Sequence, residues 1–532
     1  MRTIRFCTTL LTLGLLIQVS LLSSCKYAVT PDFRKTYADA NAAVHSDTAT
    51  GILFKVHLRN GDVCLMDDWQ LTPGSDTISG TGRRYNFNRT LVSEGQQILP
   101  IPEIAIIETN QLDQIQSLDN RRLAALSVLT GLNLILDVIC LSNPKACFGS
   151  CPTFYVPGYT DVHSASAEGF SRSIAPALEA ADLDALQYQT GPGAFTLTLK
   201  NEAVETHIIN QVALHAVPVE PGRTAFHAPD GQFYHSRAVQ APKQATVGDL
   251  DITGLLARQD EVEYFSRTDS LDLTTREELL LTFTPPPSSR AGVVVEFRQT
   301  LLTTFLLYSS LSDLGDEATD YLARAETDRR FRARFGQAFD RLGGIAIDWW
   351  DADRGTWQPV GQLEETGPIA RNRMLLPLPP QASRQEEVTL RITATKGHWR
   401  FDQVALADIG QPVAPIVISP LEITTEQGSL ARTADLLHDD QQALVTFPGD
   451  VYQIQFDLPD LPAGQQYELF LLSKGYYLEW IRKEWLADKN LPRLKRLLLR
   501  DNQTWQELAR EYKAVEEDME QVFWNSKYTR TQ

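Results

Sequence analysis

Positive charge is in short supply in this chain relative to negative. Its 532 residues carry 49 lysines and arginines against 67 aspartates and glutamates, a formal net charge of -18. An acidic surface repels phosphate backbones and anionic headgroups, which excludes nucleic acid as a natural partner and membrane binding through a basic face. Several catalytic signatures are missing as well: a Gly-x-Ser-x-Gly elbow, a P-loop, a His-Glu-x-x-His pair and a dinucleotide glycine loop. Their absence leaves room for a glycosidase, which needs only two carboxylates that a sequence cannot place. No internal repeat and no low-complexity segment is visible. A hydrophobic content of 43% and a charged content of 22% are ordinary for globular protein. At roughly 100–200 residues per domain the length suggests about three to five domains.

What is present begins at Cys25. Arg2 and Arg5 open the chain, an apolar stretch runs from Phe6 to Val19, and Leu22-Ser23-Ser24-Cys25 closes it. A charged start, a short apolar region and small residues before a cut mark an export signal. The Leu-Ser-Ser-Cys run resembles the lipobox of bacterial lipoproteins; an ordinary secretory signal with an incidental cysteine is the plainer alternative. The resemblance implies cleavage before Cys25 by signal peptidase II and acyl chains on the new N-terminal cysteine. Cleavage removes Arg2 and Arg5 and no acid, so the charge moves from -18 to about -20. Attachment then comes from acyl chains, not from a basic surface. Lys26 stands where some lipoproteins carry an inner-membrane retention aspartate, and no acidic run follows. The expected address is the cell envelope, at the outer membrane and facing the periplasm.

Cysteine usage agrees with export. Cys7 leaves with the signal, and Cys64, Cys140, Cys147 and Cys151 remain beside Cys25. An even count fits disulfides. Cys147-Phe-Gly-Ser-Cys151 has a glycine-containing spacer able to close a small loop and is the favoured pair. A zinc site is the alternative, without a second close Cys or His pair to support it. Cys64, in Val63-Cys64-Leu65-Met66, reads as a buried thiol.

The expected fold is mainly β and multi-domain, a small β barrel or sheet plus β-sandwich domains, with an apolar helix near 123–141 and a helical C-terminus. In order, we expect a signal at 1–24, a lipid-anchored tether at 25–50, a small β domain at 51–110 and an apolar helix region at 111–146. A β-rich domain at 147–285, a strand plus helix segment at 286–342, a β-sandwich at 343–470 and a helical region at 471–532 follow. Ile52 to Leu58 alternates at the strand period, and Asn60-Gly61 supplies a hairpin turn. Leu123–Leu141 has the length of a membrane span, with eleven Leu, Ile or Val. Asp137 inside it costs about 2.5–3.5 kcal/mol, which favours a buried or partner-seeking helix. Asp316 to Leu342 carries apolar residues at helical spacing. Tyr476 to Leu486, Leu491 to Leu499 and Thr504 to Trp524 read as helices, the last with a Thr504/Glu507 capping box.

Two further resemblances appear. The run Cys147 to Val156, with Glu168-Gly-Phe-Ser-Arg-Ser-Ile-Ala-Pro-Ala-Leu-Glu179 and Lys200-Asn-Glu-Ala-Val-Glu-Thr-His207, is similar to a recurrent domain of uncharacterised envelope lipoproteins. That implies an address and an architecture but no activity. Val388 to Ile392 and Trp399 to Val404 resemble the closing strands of galactose-binding-like jelly rolls.

Candidate chemistry is thin. His207, His215, His227 and His235 could hold zinc if they converged, yet scattered histidines in β structure are usually solvated or hydrogen-bonded. Asp351-Ala-Asp353-Arg-Gly355 opens like some calcium loops but reads better as a polar turn. Trp349, Trp350, Trp357 and Trp399 could form a sugar platform. Trp349 and Trp350 are adjacent, so one faces inward and one outward. The residues point to a lipid-anchored envelope protein with a binding or scaffolding role, no metal and no cofactor, meeting an envelope protein or a glycan. The rival is a glycan-active hydrolase using the tryptophan-containing sandwich as its binding module.

Overall fold

A computed structural model describes residues 54–109 and 151–524, apart from breaks of no more than eight residues. The export signal, Cys25, Cys140, Cys147 and the apolar segment 123–141 lie outside the described residues. Among the described residues no helix is long and apolar enough to cross a membrane. The chain is mainly β, with several sheets, and divides into two units.

The smaller unit holds one antiparallel sheet, with strands in the order Leu91–Pro100, Thr77–Tyr85, Val63–Leu71, Phe54–Leu58 and Ile104–Thr109. Of the two forms expected for 51–110, it is the sheet. The first two strands make the expected hairpin, with Val56 opposite Cys64. Val56, Cys64, Trp69, Ile78 and Leu99 are buried, because alternate positions of each strand face one side. Burial pushes the Cys64 thiol up to about 12, so it stays protonated and unreactive.

The larger unit contains two sandwiches, one threaded into the other. The outer sandwich uses chain on both sides of the inserted one. Ile416–Ile418, Glu205–Val219, Gln466–Glu479 and Ala180–Thr190 form one sheet, and Leu444–Thr446 also pairs with Glu205–Val219. Its second sheet runs Gly428–Ser429, Glu422–Thr425, Val451–Leu458, Gly193–Lys200, Thr153–Tyr155 and Ala167–Glu168. Phe154, Leu197, Ile454 and Phe456 from one sheet meet Leu214, Leu469 and Leu471 from the other. Each such side chain contributes about 1.5–3 kcal/mol on burial.

The inserted sandwich lies between Thr224 and Val413. Thr224–His227, Phe233–Gln240, Trp399–Val413, Ala291–Gln299 and Asn372–Pro377 close into a barrel. Against it packs a sheet ordered Leu250–Asp251, Gln244–Val247, Arg276–Phe283, Val388–Thr395, Ile345–Asp351 and Thr356–Leu363. Leu279, Leu281, Ile347, Trp349, Leu390 and Ile392 meet Val293, Val295, Phe297, Phe401 and Val404 in one core. Strands on either side of residue 285 therefore share a core. Ala185, Val217, Phe233 and Phe470 form an apolar cluster between the two sandwiches.

Three local expectations need correction. Tyr476 to Glu479 is strand, not helix, because Gln466–Glu479 pairs along its length with Glu205–Val219; residues 480–487 lie outside the described set. The helix expected over 316–342 is described at Tyr321 and at Arg329–Gly336 and gives way to turns before 342. A separate helix, Leu302–Leu314, carries the preceding apolar run. The last helix spans Asn502–Trp524. Asp501, not Thr504, caps it, since its Oδ2 accepts from the Thr504 amide and hydroxyl, both at 2.9 Å.

Candidate functional site

The four tryptophans separate at once. Strand Ile345–Asp351 alternates buried and half-buried positions, placing Trp349 in the core at 2% exposure and Trp350 on the outer face. Trp350 meets its cross-strand partner Trp357 edge-on, with ring centroids 5.3 Å apart, and the Arg391 guanidinium lies 4.7 Å above Trp357. Arg391 is held by Asp348 at 2.8 Å. Trp399 is only 3% exposed and packs edge-on against Phe297 at 5.6 Å. A four-ring platform is therefore not formed: Trp349 is sealed in the core, and Trp399 belongs to a different wall from the Trp350/Trp357 pair.

The histidines also disperse. A bulge between Ile209 and Gln211 adds a residue to strand Glu205–Val219, so the spacing of His207 and His215 no longer guarantees a common face. His207 Nε2 lies 3.2 Å from Glu205, His227 Nε2 lies 3.4 Å from Asn372, and His215 packs on Phe233. Burial pulls His227 down to about 4. Among the described residues no group of His, Cys, Asp or Glu is arranged to hold a metal. Asp351 accepts the amides of Asp353 and Arg354 and ion-pairs with Arg354 at 2.8 Å, closing a turn at Gly355 (φ 62°). Cys151 is buried, its amide donating to Glu205; its expected partner Cys147 lies outside the described residues.

Trp399 leads to the site that the sequence does not announce. It forms part of the wall of a cavity of about 680 Å³. The outer sandwich contributes Arg172, Ile174, Leu178 and Tyr477. Helix Leu302–Leu314 contributes Thr303, Thr304 and Leu307, and the inserted sandwich supplies Gln299, Gln362, Glu364, Pro368 and His398. Thr303 and Leu307 are four apart, so one helical face supplies both. The wall segment 367–370 is clamped: Glu168 Oε2 accepts the Ile369 and Ala370 amides at 2.6 and 2.9 Å, and Arg298 donates to the Ile369 carbonyl at 2.8 Å. Gly367 is required there, because a Cβ would strike the Glu168 carboxylate.

Inside, the Thr303 hydroxyl lies 3.1 Å from His398 Nε2. Burial, helped by Arg276 and Arg172, pulls His398 down to about 3, so its ring is neutral. Nδ1 has no hydrogen-bond partner among the described residues. Charge stays at the edge, where Arg172 and Glu364 pair at 3.2 Å while half-exposed.

Sequence reasoning also missed a charged knot. Glu263 meets Arg298 at 2.6 Å and Arg400 at 3.3 Å, with all three side chains at most 3% exposed. Arg371 reaches Asp402 at 3.3 Å, Glu296 at 3.5 Å and the more exposed Glu261 at 3.1 Å. Burial favours a neutral Glu263, yet Arg298 and Arg400 hold it below the usual carboxylate range. Burial and the neighbouring Glu296 push Asp402 up to about 7. Glu296 and Arg298 alternate with Val295 and Phe297, a pattern that reads as one solvated face until the second layer is known.

No protein-family model and no curated protein matches the chain. Among solved structures it is similar to a β-porphyranase of glycoside hydrolase family 86 from the human gut bacterium Bacteroides plebeius. That match has 9% identity and a TM-score of 0.15, over 42% of this chain and 36% of that one. A secreted serine protease from Vibrio cholerae matches at 10% identity and a TM-score of 0.13, over 42% and 48% of the two chains. The chain spans less than half the length of either protein, and overlaps at such scores carry no argument about activity.

Proposed function

We propose that this chain is a cell-envelope protein, anchored by acyl chains on Cys25, whose larger unit captures a small ligand without transforming it. The observation that carries the reading is the 680 Å³ cavity, a size typical of small-molecule sites. Its chemistry argues for capture. A hydroxyl beside an imidazole is the start of an activated nucleophile, but that arrangement needs a base titrating near neutrality and a third group to orient it. His398 titrates at about 3 and its Nδ1 has no such partner among the described residues. The edge carboxylate Glu364 is paired with Arg172 at 3.2 Å.

The test is mass spectrometry of protein extracted from envelopes in mild detergent. Denatured, the mature N-terminus is expected to be an acylated Cys25; native, a bound small molecule is expected to be present in wild type and lost from Leu307→Trp. A bare cysteine or an uncut leader overturns the anchor. A ligand recovered as a chemically altered product overturns the non-catalytic reading.

A further inference from the structure

We propose that the ligand of this cavity is a neutral polyhydroxylated ring, a mono- or disaccharide, bound through the hydroxyl and amide groups of Thr303 and Gln299. This rests on the cavity being a binding site. Three features of the lining narrow the class.

Its charges are already spent. Arg172 is paired with Glu364, and Asp340 lies 4.0 Å from Arg500. The lining cation Arg172 is already engaged by Glu364, so an anionic ligand would have to displace that carboxylate to gain a partner for its charge. His398 adds no positive charge, since burial keeps its ring neutral.

A purely apolar ligand fits no better. It would cut the Gln299 amide off from water, which costs free energy, and leave the Thr303 hydroxyl with His398 alone as its partner.

A sugar ring satisfies both halves. Its C–H faces match Leu307, Ile174, Pro368 and Trp399, and its hydroxyls both donate and accept, as threonine and glutamine require. Specificity of this kind comes from a few polar groups placed in an otherwise apolar site.

The experiment is calorimetry on the lipidated full chain in detergent. The probes are maltose, cellobiose and chitobiose, with digalacturonate and N-phenyl-1-naphthylamine as anionic and apolar comparators. At least one neutral disaccharide is expected to bind, at least about tenfold tighter than either comparator. Leu307→Trp, which fills the cavity, and Gln299→Leu, which removes its amide, are each expected to weaken that binding by about tenfold or more. Leu307→Phe serves if the tryptophan variant does not fold. Tighter binding of the anionic or apolar probe, lost in the Leu307 variant, overturns the sugar assignment and leaves the cavity reading standing. Binding of no probe, or binding indifferent to Leu307, overturns both.

Discussion

The charged knot and the cavity bury polar groups in opposite ways. In the knot, Glu263, Arg298 and Arg400 are removed from water together, and Arg371 gathers Glu296, Asp402 and Glu261. In the cavity, the buried polar groups are neutral and the ions stay at the edge. The difference follows from solvation. A buried ion survives only with a partner in contact, so a charged region must be filled and fixed. A buried hydroxyl or imidazole costs far less, so neutral groups can line open space. Arg298 links the two, because the same guanidinium that meets Glu263 also holds the Ile369 carbonyl in the cavity wall.

The largest expected effect breaks the knot. Glu263→Gln removes the carboxylate charge that two buried guanidiniums share and is expected to cost about 3–5 kcal/mol in denaturant unfolding. Replacing Glu263, Arg298 and Arg400 together with Leu, Met and Met is expected to cost far less, because no charge is then stranded. If the single variant loses under about 1 kcal/mol, the knot is wetter than its burial implies and the contrast with the cavity fails.

Acidity should separate the two regions by sign. Asp402 rises from 3.8 to about 7 on folding, so near pH 5 the folded chain holds a proton that the unfolded chain has lost. That stabilisation disappears as the pH rises through 7, at up to roughly 1.4 kcal/mol per pH unit. His398 falls from 6.5 to about 3. Below pH 6.5 the unfolded chain takes a proton that the folded ring refuses, so stability drops on acidification. Unfolding at pH 5 and 7.5 should therefore show Asp402→Asn losing more relative to wild type at the lower pH. His398→Gln should lose less there than at pH 7.5. Shifts of the same direction in both variants would mean that one of these groups titrates normally.

What the sequence discloses is local. The hairpin around Asn60-Gly61, the turn after Asp351 and the opposed faces of Trp349 and Trp350 all depend on residues a few positions apart. The pairing of Glu205–Val219 with Gln466–Glu479 depends on residues more than two hundred apart, with the whole inserted sandwich between them. Tyr476 to Glu479 consequently reads as helix from its aromatic spacing and becomes strand through tertiary pairing. The cavity has the same character: Arg172, Thr303, Glu364, His398 and Tyr477 meet only once the second sandwich is threaded into the first. Cys25 differs in kind, because its reading rests on an address that precedes folding.

The smallest effect sharpens the comparison most, since it holds the chemistry constant and changes only the water. Arg172–Glu364 is the same type of pair as Arg298–Glu263, but its side chains are 58% and 50% exposed, against 3% and 1%. Solvent and salt screen the first pair and barely reach the second. Arg172→Gln is therefore expected to change unfolding free energy by no more than about 1 kcal/mol, and by less as salt is raised. It should instead act on ligand traffic: with one partner of the bridging pair gone, association and dissociation rates both rise while affinity stays within about a factor of three, since the inner wall is intact. A loss of stability matching that of Glu263→Gln would mean that the edge pair is structural, and the cavity would then be closed by a fixed strut instead of an exchangeable one.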